Sequence, residues 1–542
     1  MKHTPLFDRH AREAATVINL KGTARAMHYG GHVAEHRATR EAVSLCDVSH
    51  MGELDFKGRD ALALMQKIIT NDAAKLAVNQ ALYSAMCADD GMVIDDLVCF
   101  RLGEDHYRWV VNVTKIEEDY HWVLKHAHGM EVKVNNVSTD TALLALQGPR
   151  SLEALQRITK ADMSRLEYYS LVQTIIHTEH AEVPVIISRT GYTGERGFEI
   201  MVSRDLAPWV WDELLLAGRP LGIVAHGVAA RESLRTEAGY LLNGNDMDAQ
   251  TNPFEAGLGW VVKLSKDFVG KEALQQIKLR GVSRKIVGLE LEGHLTMRNG
   301  YPVYRDGKQI GRVSSGPLSP ALTDGRNLGL GYVAVDHAEA GTPVEIEVRG
   351  KRIKGRVVAL PFCTRRVKEE PAVSTYSPYD LRFTATHVWA WAQPGRADVV
   401  TLGLSDFGQR SLGDILSVNL PEIGDNVTQG APFAWLDSYR KSFDVVSPIS
   451  GEVVEVNEGI AKDPRQLNAH PYAHFGVVKV KVAAAQTFGD MMTFEEYADQ
   501  VRRQRRDRQR REPPRGHRHD VGGLVFPAHG PPGVEAPDLV RP

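Results

Sequence analysis

Two adjacent acids inside a hydrophobic run, Asp95 and Asp96, are the residues of this chain best placed to do chemistry. They belong to Asp89–Phe100, DDGMVIDDLVCF, where turn-prone acids and Gly91 lead into a β-branched run, the pattern of a turn feeding a buried strand. Side chains alternate along a strand, so Ile94, Asp96 and Val98 are expected on one face and Val93, Asp95 and Leu97 on the other. Both faces are apolar, so at least one carboxylate is held among hydrophobic neighbours. An ionised carboxylate buried without a partner is strongly unfavourable, so such acids are bonded, paired or put to chemical use. Taken alone, the stretch reads better as an acid capping or salt-bridging a strand end. The rest of the chain reverses that order.

Further charged candidates sit on elements that would aim them. VPVIISRTGYTGERGFEIMV reads as two strands joined by a Gly-rich turn. In the second strand Phe198, Ile200 and Val202 share a face, which leaves Glu199 on the opposite face with Met201. The helix GVAARESLRTEAGY carries Arg231 and Arg235 at i,i+4, where like charges repel unless an anion or acid lies between them. Glu232 is such an acid for Arg235, so Arg235 reads as a structural ion pair more readily than Arg231 does.

The elements that position these residues are mixed. A helix is expected around His32–Ala42, then a turn running into a strand through SLCDVSHMGELDF, then a helix from Asp60 and another over IEEDYHWVLKHA. This is an α+β arrangement. Short strands between Gly, Asp and Pro turns from 285 to 360 argue a small β-barrel or sandwich. Residues 368–380 read as a linker and Leu381–Val482 as a second β-rich unit. Phe488–Arg503 reads as an amphipathic helix, followed from 504 to 542 by a disordered, solvated Arg/Pro-rich tail. The 542 residues exceed one core. The net charge of −3 gives no reason to expect a nucleic-acid or membrane partner. Cys46, Cys87, Cys99 and Cys363 have no metal spacing and suit free thiols in a reducing compartment. Without an apolar signal core or a long apolar span, a soluble cytoplasmic protein is expected.

Ten motifs in order, HYGGHVAEHRATREAV, DVSHMGEL, ALYSAM, GMVIDDLV, VVNVT, LALQGP, TGYTGERGFEI, ARESLRTEAG, LNGNDMD and GLGWVVK, carry a resemblance. Residues 1–367 resemble the aminomethyltransferase, or T-protein, of the glycine cleavage system. The resemblance implies a multi-subdomain folate-binding fold with a β-barrel subdomain at about 285–360. It also implies transfer of an aminomethyl group from a lipoyl sulfur to tetrahydrofolate, with release of ammonia. It places the catalytic aspartate at Asp96, and folate-pocket positions at Tyr83, Asn112, Tyr192, Glu199 and Arg231; no metal is implied. Thr23 and Ala26 stand where many relatives carry Trp and Pro. A tetrahydrofolate-dependent N- or O-demethylase of the same fold is therefore a rival reading, and a non-catalytic interaction module a second.

Residues 381–503 resemble the H-protein of the same system, through LRFTATHVWAW, VTLGLSDFGQRSLGDILSVNLPEIGD and VSPISGEVVEVNEGIAKDPRQLNAHPY. The resemblance implies a lipoyl-type β-barrel and, as partners, a lipoylated H-protein or the chain's own H-like domain, with other glycine cleavage subunits. The family's lipoylated lysine falls on Arg440, with Lys441 one residue late. A guanidinium stays protonated and cannot attack an activated acyl group. A one-residue shift along a strand moves a side chain about 3.3 Å and turns it to the other face. Produced beside an active lipoate ligase, the chain is expected to keep its bare intact mass, and Arg440→Lys to create a lipoylation site. A wild-type mass raised by one lipoyl unit, and lost in Lys441→Arg, would overturn that expectation.

Overall fold

The computed structural model describes residues 2–511 except 14, 294, 318–326, 364–366, 368–375, 377, 394–395, 414, 439–441, 470, 474 and 484–487. The linker expected at 368–380 lies largely among the exceptions. So do Arg440 and Lys441.

The acidic strand sits at the centre of the first subdomain. Val93–Gly103 lies between Ala81–Cys87 and His106–Val111 in a five-stranded antiparallel sheet completed by Gly52–Lys57 and Lys133–Asn136. Helices Ala61–Ile68 and Ile116–Ala127 cover one face, packing Leu64, Met65, Ile68 and Val123 on Leu54, Phe56 and Trp109. The expected alternation holds from Asp95 onward. It fails at Ile94, because a bulge opposite Met86 and Cys87 inserts one residue. A bulge reverses the facing of what precedes it, so Ile94 joins Leu97 under the helices and Val93 packs toward the barrel.

The second subdomain is a six-stranded sheet ordered Leu171–His177, Glu182–Ser188, Gly197–Ser203, Thr141–Gln147, Ser44–Asp47 and Val224–Ala225. SLCD, expected as part of a turn, is therefore a strand of its own. Its Val43–Leu45 flank packs on Leu144, Leu146 and Phe198 in a core covered by the helices Ser151–Gln156 and Ala207–Gly218.

The two sheets are related by a repeat of helix, 3-10 turn and strand. Residues 61–87 recur 90 positions later as 151–177, with Gln66, Asp72 and Asn79 answered by Gln156, Asp162 and Tyr169. Gln66 and Gln156 each accept the first amide of their 3-10 turn, at 2.9 Å in both cases. Asn79 and Tyr169 both hold a left-handed backbone, with φ of 68° and 64°. The copies meet edge to edge, the Ala81 amide donating to Tyr169 O and the Leu171 amide to Asn79 O.

The third subdomain is a closed six-stranded barrel running from Arg284–Leu291 to Lys351–Val358. Ile286, Leu330 and Tyr332 of the barrel pack on Ala85, Cys87 and Val93, which fixes it against the acidic strand's sheet. A last unit holds a six-stranded and a three-stranded sheet with its own core around Leu402, Leu436 and Val480. It meets the second subdomain through Arg157, whose guanidinium donates to Asp406 at 3.0 Å with both side chains largely buried. Its closing helix runs from Phe494 to Arg511. The helix starts six residues later than expected and continues into the segment read as tail, since Arg and Gln are good helix formers.

Gln147 links this architecture to the Gly-rich turn. Its fully buried amide donates to Thr190 O at 3.2 Å and Phe198 O at 3.3 Å, and accepts from Thr193 Oγ1 at 2.9 Å. Gly191 and Gly197 lie flat on that amide, where a Cβ at either would collide with it. Held by three bonds, the amide has no room to yield. Gly191→Ala is expected to lower stability by about 1–3 kcal/mol, read as a lower denaturation midpoint. An unchanged midpoint would show that Gln147 is not the clamp.

Candidate functional site

A cavity of about 1070 Å³ opens where the two sheets and the barrel meet. The repeat contributes Ala81 and Leu82 from one copy and Tyr168 and Tyr169 from the other; the barrel contributes Lys285 to Gly288 and Val358 to Leu360. Tyr83, Asp96, Asn112, Tyr192, Glu199 and Arg231, singled out from sequence and drawn from two of the three subdomains, all line it.

Asp96 is half-buried and lines the cavity wall. Tyr83 donates its hydroxyl to Oδ2 at 2.9 Å, and Asn112 donates Nδ2 to Oδ1 at 3.0 Å. Burial, reinforced by the neighbouring Asp95 charge, raises the Asp96 carboxyl to about 7. Two neutral donors oppose that shift and do not cancel it.

Asp95 points the other way and is fully buried. Asn112 binds it twice, through its backbone amide at 3.0 Å and its Nδ2 at 2.8 Å. One asparagine thus ties both acids to the end of the adjacent strand. Behind Asp95 lies Asp119, also fully buried. Among the described residues neither Asp119 oxygen receives a hydrogen bond from a donor group, yet the carboxyl contacts Asp95. A proton must therefore lie between the two. Burial and the Asp95 charge push Asp119 up to about 10, so it is the acid that keeps the proton and donates. Sequence reasoning passed over Asp119. The signal was present, because Ile116, Asp119 and Val123 fall on one helical stripe and an acid on an apolar stripe needs a partner.

The opposite wall carries the other charges. Thr190 donates its hydroxyl to Glu199, whose carboxyl is raised by burial. Arg231 extends from the helix Val228–Glu237 with its guanidinium 4.5 Å from the centre of the Tyr192 ring. Tyr192 stacks on Tyr240, and Tyr83 on Trp260, with centroids 5.7 Å and 5.8 Å apart. Trp260 is 59% exposed although it lines the cavity, which places it at the mouth. It lies in the GLGWVVK motif but was not identified as a site residue. Arg235, one turn from Arg231, is fully buried between Glu232 and Asp246 and stays out of the cavity, as the ion-pair reading expects. Among the described residues no group of three potential metal ligands clusters, and no helix is long and apolar enough to cross a membrane.

Asp119→Asn keeps a donor toward Asp95 and should leave stability within about 1 kcal/mol below about pH 4, where the Asp119 carboxyl is protonated folded and unfolded alike. Asp119→Ala removes the donor from a buried charge and should cost roughly 1.5–3 kcal/mol. Because the folded-state carboxyl is raised, its stabilising contribution is complete below the unfolded value near 4 and declines as pH rises toward about 10. Denaturation midpoints should therefore move in favour of Asp119→Asn over wild type between those limits. Parallel pH profiles for the two proteins would exclude a protonated Asp119.

Residues 6–266 match the family model described as the GCVT N-terminal domain, 284–363 the glycine cleavage T-protein C-terminal barrel domain, and 381–504 the glycine cleavage H-protein. An aminomethyltransferase of Halothermothrix orenii is 46% identical over 67% of this chain and 100% of its own length. That of Desulfitobacterium hafniense (strain DSM 10664 / DCB-2) is 41% identical over 68% and 99%. The crystal structure of the glycine cleavage system aminomethyltransferase T from Bartonella henselae superposes with a TM-score of 0.62 at 33% identity, covering 67% of this chain and 99% of that one. Three subdomains around one cavity, a closed barrel as the third and near-complete coverage of these relatives lead to one conclusion: the chain belongs to the aminomethyltransferase (T-protein) family of the glycine cleavage system, with an H-protein domain in the same polypeptide.

Proposed function

We propose that this chain transfers the one-carbon unit of an aminomethyl group, carried on a lipoyl sulfur, to tetrahydrofolate held in the central cavity, releasing ammonia. The observation that carries the reading is Asp96, a desolvated carboxyl fixed by Tyr83 and Asn112 on the wall of the central cavity. The relatives named above are all aminomethyltransferases, which favours this reading over a demethylase or a binding module.

The residues fit the chemistry. Breaking the carbon–nitrogen bond sends its electron pair out on ammonia and leaves the carbon short of electrons. A carboxyl near 7 divides between its two forms at neutral pH. The protonated form supplies a proton to the departing nitrogen, and the carboxylate left behind faces the cationic carbon in a water-poor site. The carbon then bonds to the two folate nitrogens as the sulfur withdraws with its own pair; of the two N–H protons released, one returns to the Asp96 carboxylate and the other ends on the sulfur as thiol. Glu199 accepts from the donor edge of the pterin, and Arg231 takes an anionic group of the folate tail. Tyr83 and Tyr192 supply ring faces.

On the same reading, residues 1–367 form the transferase and the H-like unit from 381 onward carries no lipoate of its own, because Arg440 replaces the acylated lysine. The donor is then a separate lipoylated H-protein. In an assay with such a protein loaded with the aminomethyl group, Asp96→Asn should lower turnover at least a hundredfold while tetrahydrofolate affinity changes only a few-fold. Glu199→Ala should weaken folate binding by about ten- to a hundredfold, the effect of losing a charged hydrogen bond. Retained turnover in the first, or unchanged affinity in the second, would remove that residue from its role.

A further inference from the structure

The two copies of the repeat differ in what covers the end of their helix. In the first copy the cover is segment 263–269. Thr70 O accepts from the Lys263 amide and Lys67 O from the Val269 amide, each at 2.9 Å. Lys266 closes the same end, donating Nζ to Gln66 O and to Ile69 O at 2.6 Å. Ninety positions on, the counterparts of Lys67 and Thr70 are Arg157 and Lys160.

There the cover is the H-like unit. Arg157 Nη1 donates to Asp406 at 3.0 Å and to Ala217 O at 3.1 Å, which ties the unit to the helix Ala207–Gly218 as well. Asp406 is itself fixed, accepting from Gln409 Nε2 at 2.9 Å, while its amide donates to the Tyr472 hydroxyl at 3.3 Å. Lys160 pairs with Glu495 and lies 5.2 Å from the centre of the Tyr379 ring, which also packs on His177 and Phe494. The helix Arg465–Ala469 rests on the turn Arg219–Leu221.

These contacts and the cavity lie on opposite faces of one sheet. Leu143 and Glu199 line the cavity, while their neighbours Leu144 and Phe198 pack with Leu152, Leu155 and Ile158 under the helices. A sheet and a helix layer, roughly 20 Å, separate the two sides. The described residues lining the cavity end at Leu360, and Trp260 stays exposed at its mouth with the unit in place. Detaching the unit would strip the largely buried Arg157 of its carboxylate, which costs more than breaking an exposed pair.

We propose that the H-like unit is a fixed cover for the second copy of the repeat, as segment 263–269 is for the first, and that it stays docked while a carrier from another molecule reaches the cavity mouth. The second half of this statement rests on the transferase reading above; the first half does not. Fusion then supplies a docked surface, and delivery comes from outside the chain.

Lys160→Cys and Glu495→Cys in one full-length chain, joined by a short bismaleimide, lock the unit in place. Both native side chains are about half exposed, so the substitutions leave the fold intact. At dilute protein the reagent should bridge the two cysteine peptides within one chain, and neither single-cysteine variant should give that bridged pair. With a separate aminomethyl-loaded H-protein, turnover of the bridged chain should stay within about twofold of the unlinked double variant. Absence of the bridge overturns the proposal, as does turnover that falls roughly tenfold or more only on bridging. An unlinked double variant without turnover would count against the transferase reading instead, and the bridged peptides would still decide whether the unit is docked.

Discussion

Placing two carboxyl groups side by side in the middle of a β-sheet is the constraint on which the rest of this structure depends. Adjacent residues of a strand point to opposite faces, so Asp95 and Asp96 cannot share one environment. Asp95 enters the helix-covered core and is kept there by Asn112 and the proton of Asp119. Asp96 faces the cavity, supported by Tyr83 and the same Asn112. The buried network thus acts as a frame: the two bonds from Asn112 to Asp95 also fix Asn112, and Asn112 fixes Asp96. Polar networks in low dielectric stabilise only when every member is satisfied. Here Asp96 is the member left incompletely satisfied, and it is the one exposed to substrate.

The cavity follows from how the subdomains meet. Two copies of a helix–turn–strand unit pair edge to edge through Ala81 and Leu171, and their left-handed residues Asn79 and Tyr169 turn the chain at that seam. Two sheets joined along one edge leave a wedge between them. The barrel closes its third side through Ile286, Leu330 and Tyr332. Glu199 and Arg231 then come from the second sheet and its helix, across the wedge from Asp96. No single subdomain holds the whole set.

Much of this was legible in the sequence, where a residue's type and its local period carried the information. Helix IEEDYHWVLKHA, the Gly-rich turn and the short strands of the barrel follow from apolar spacing and turn residues. The split between Arg231 and Arg235 followed from Glu232 alone. What escaped depended on distant partners. Ile94 changes face because of a bulge set by Met86 and Cys87 on the neighbouring strand. Asp119 keeps its proton because it is buried and because Asp95 lies across the helix–sheet interface. The repeat at 90 residues was present in the chain but its copies share few identical residues, and it becomes plain only when Gln66 and Gln156 make the same bond.

The account rests on Asp96 being a carboxyl that a dry wall holds near neutrality. Isotope-edited infrared spectroscopy of chain labelled with carboxyl-13C aspartate, taken as a difference against Asp96→Asn, reads that group directly. The account predicts a protonated carboxyl band that disappears with a midpoint at about pH 7. An Asp96 already fully ionised at pH 5 would contradict it, and with it the proposal that this carboxyl both hands over a proton and opposes the charge left on carbon.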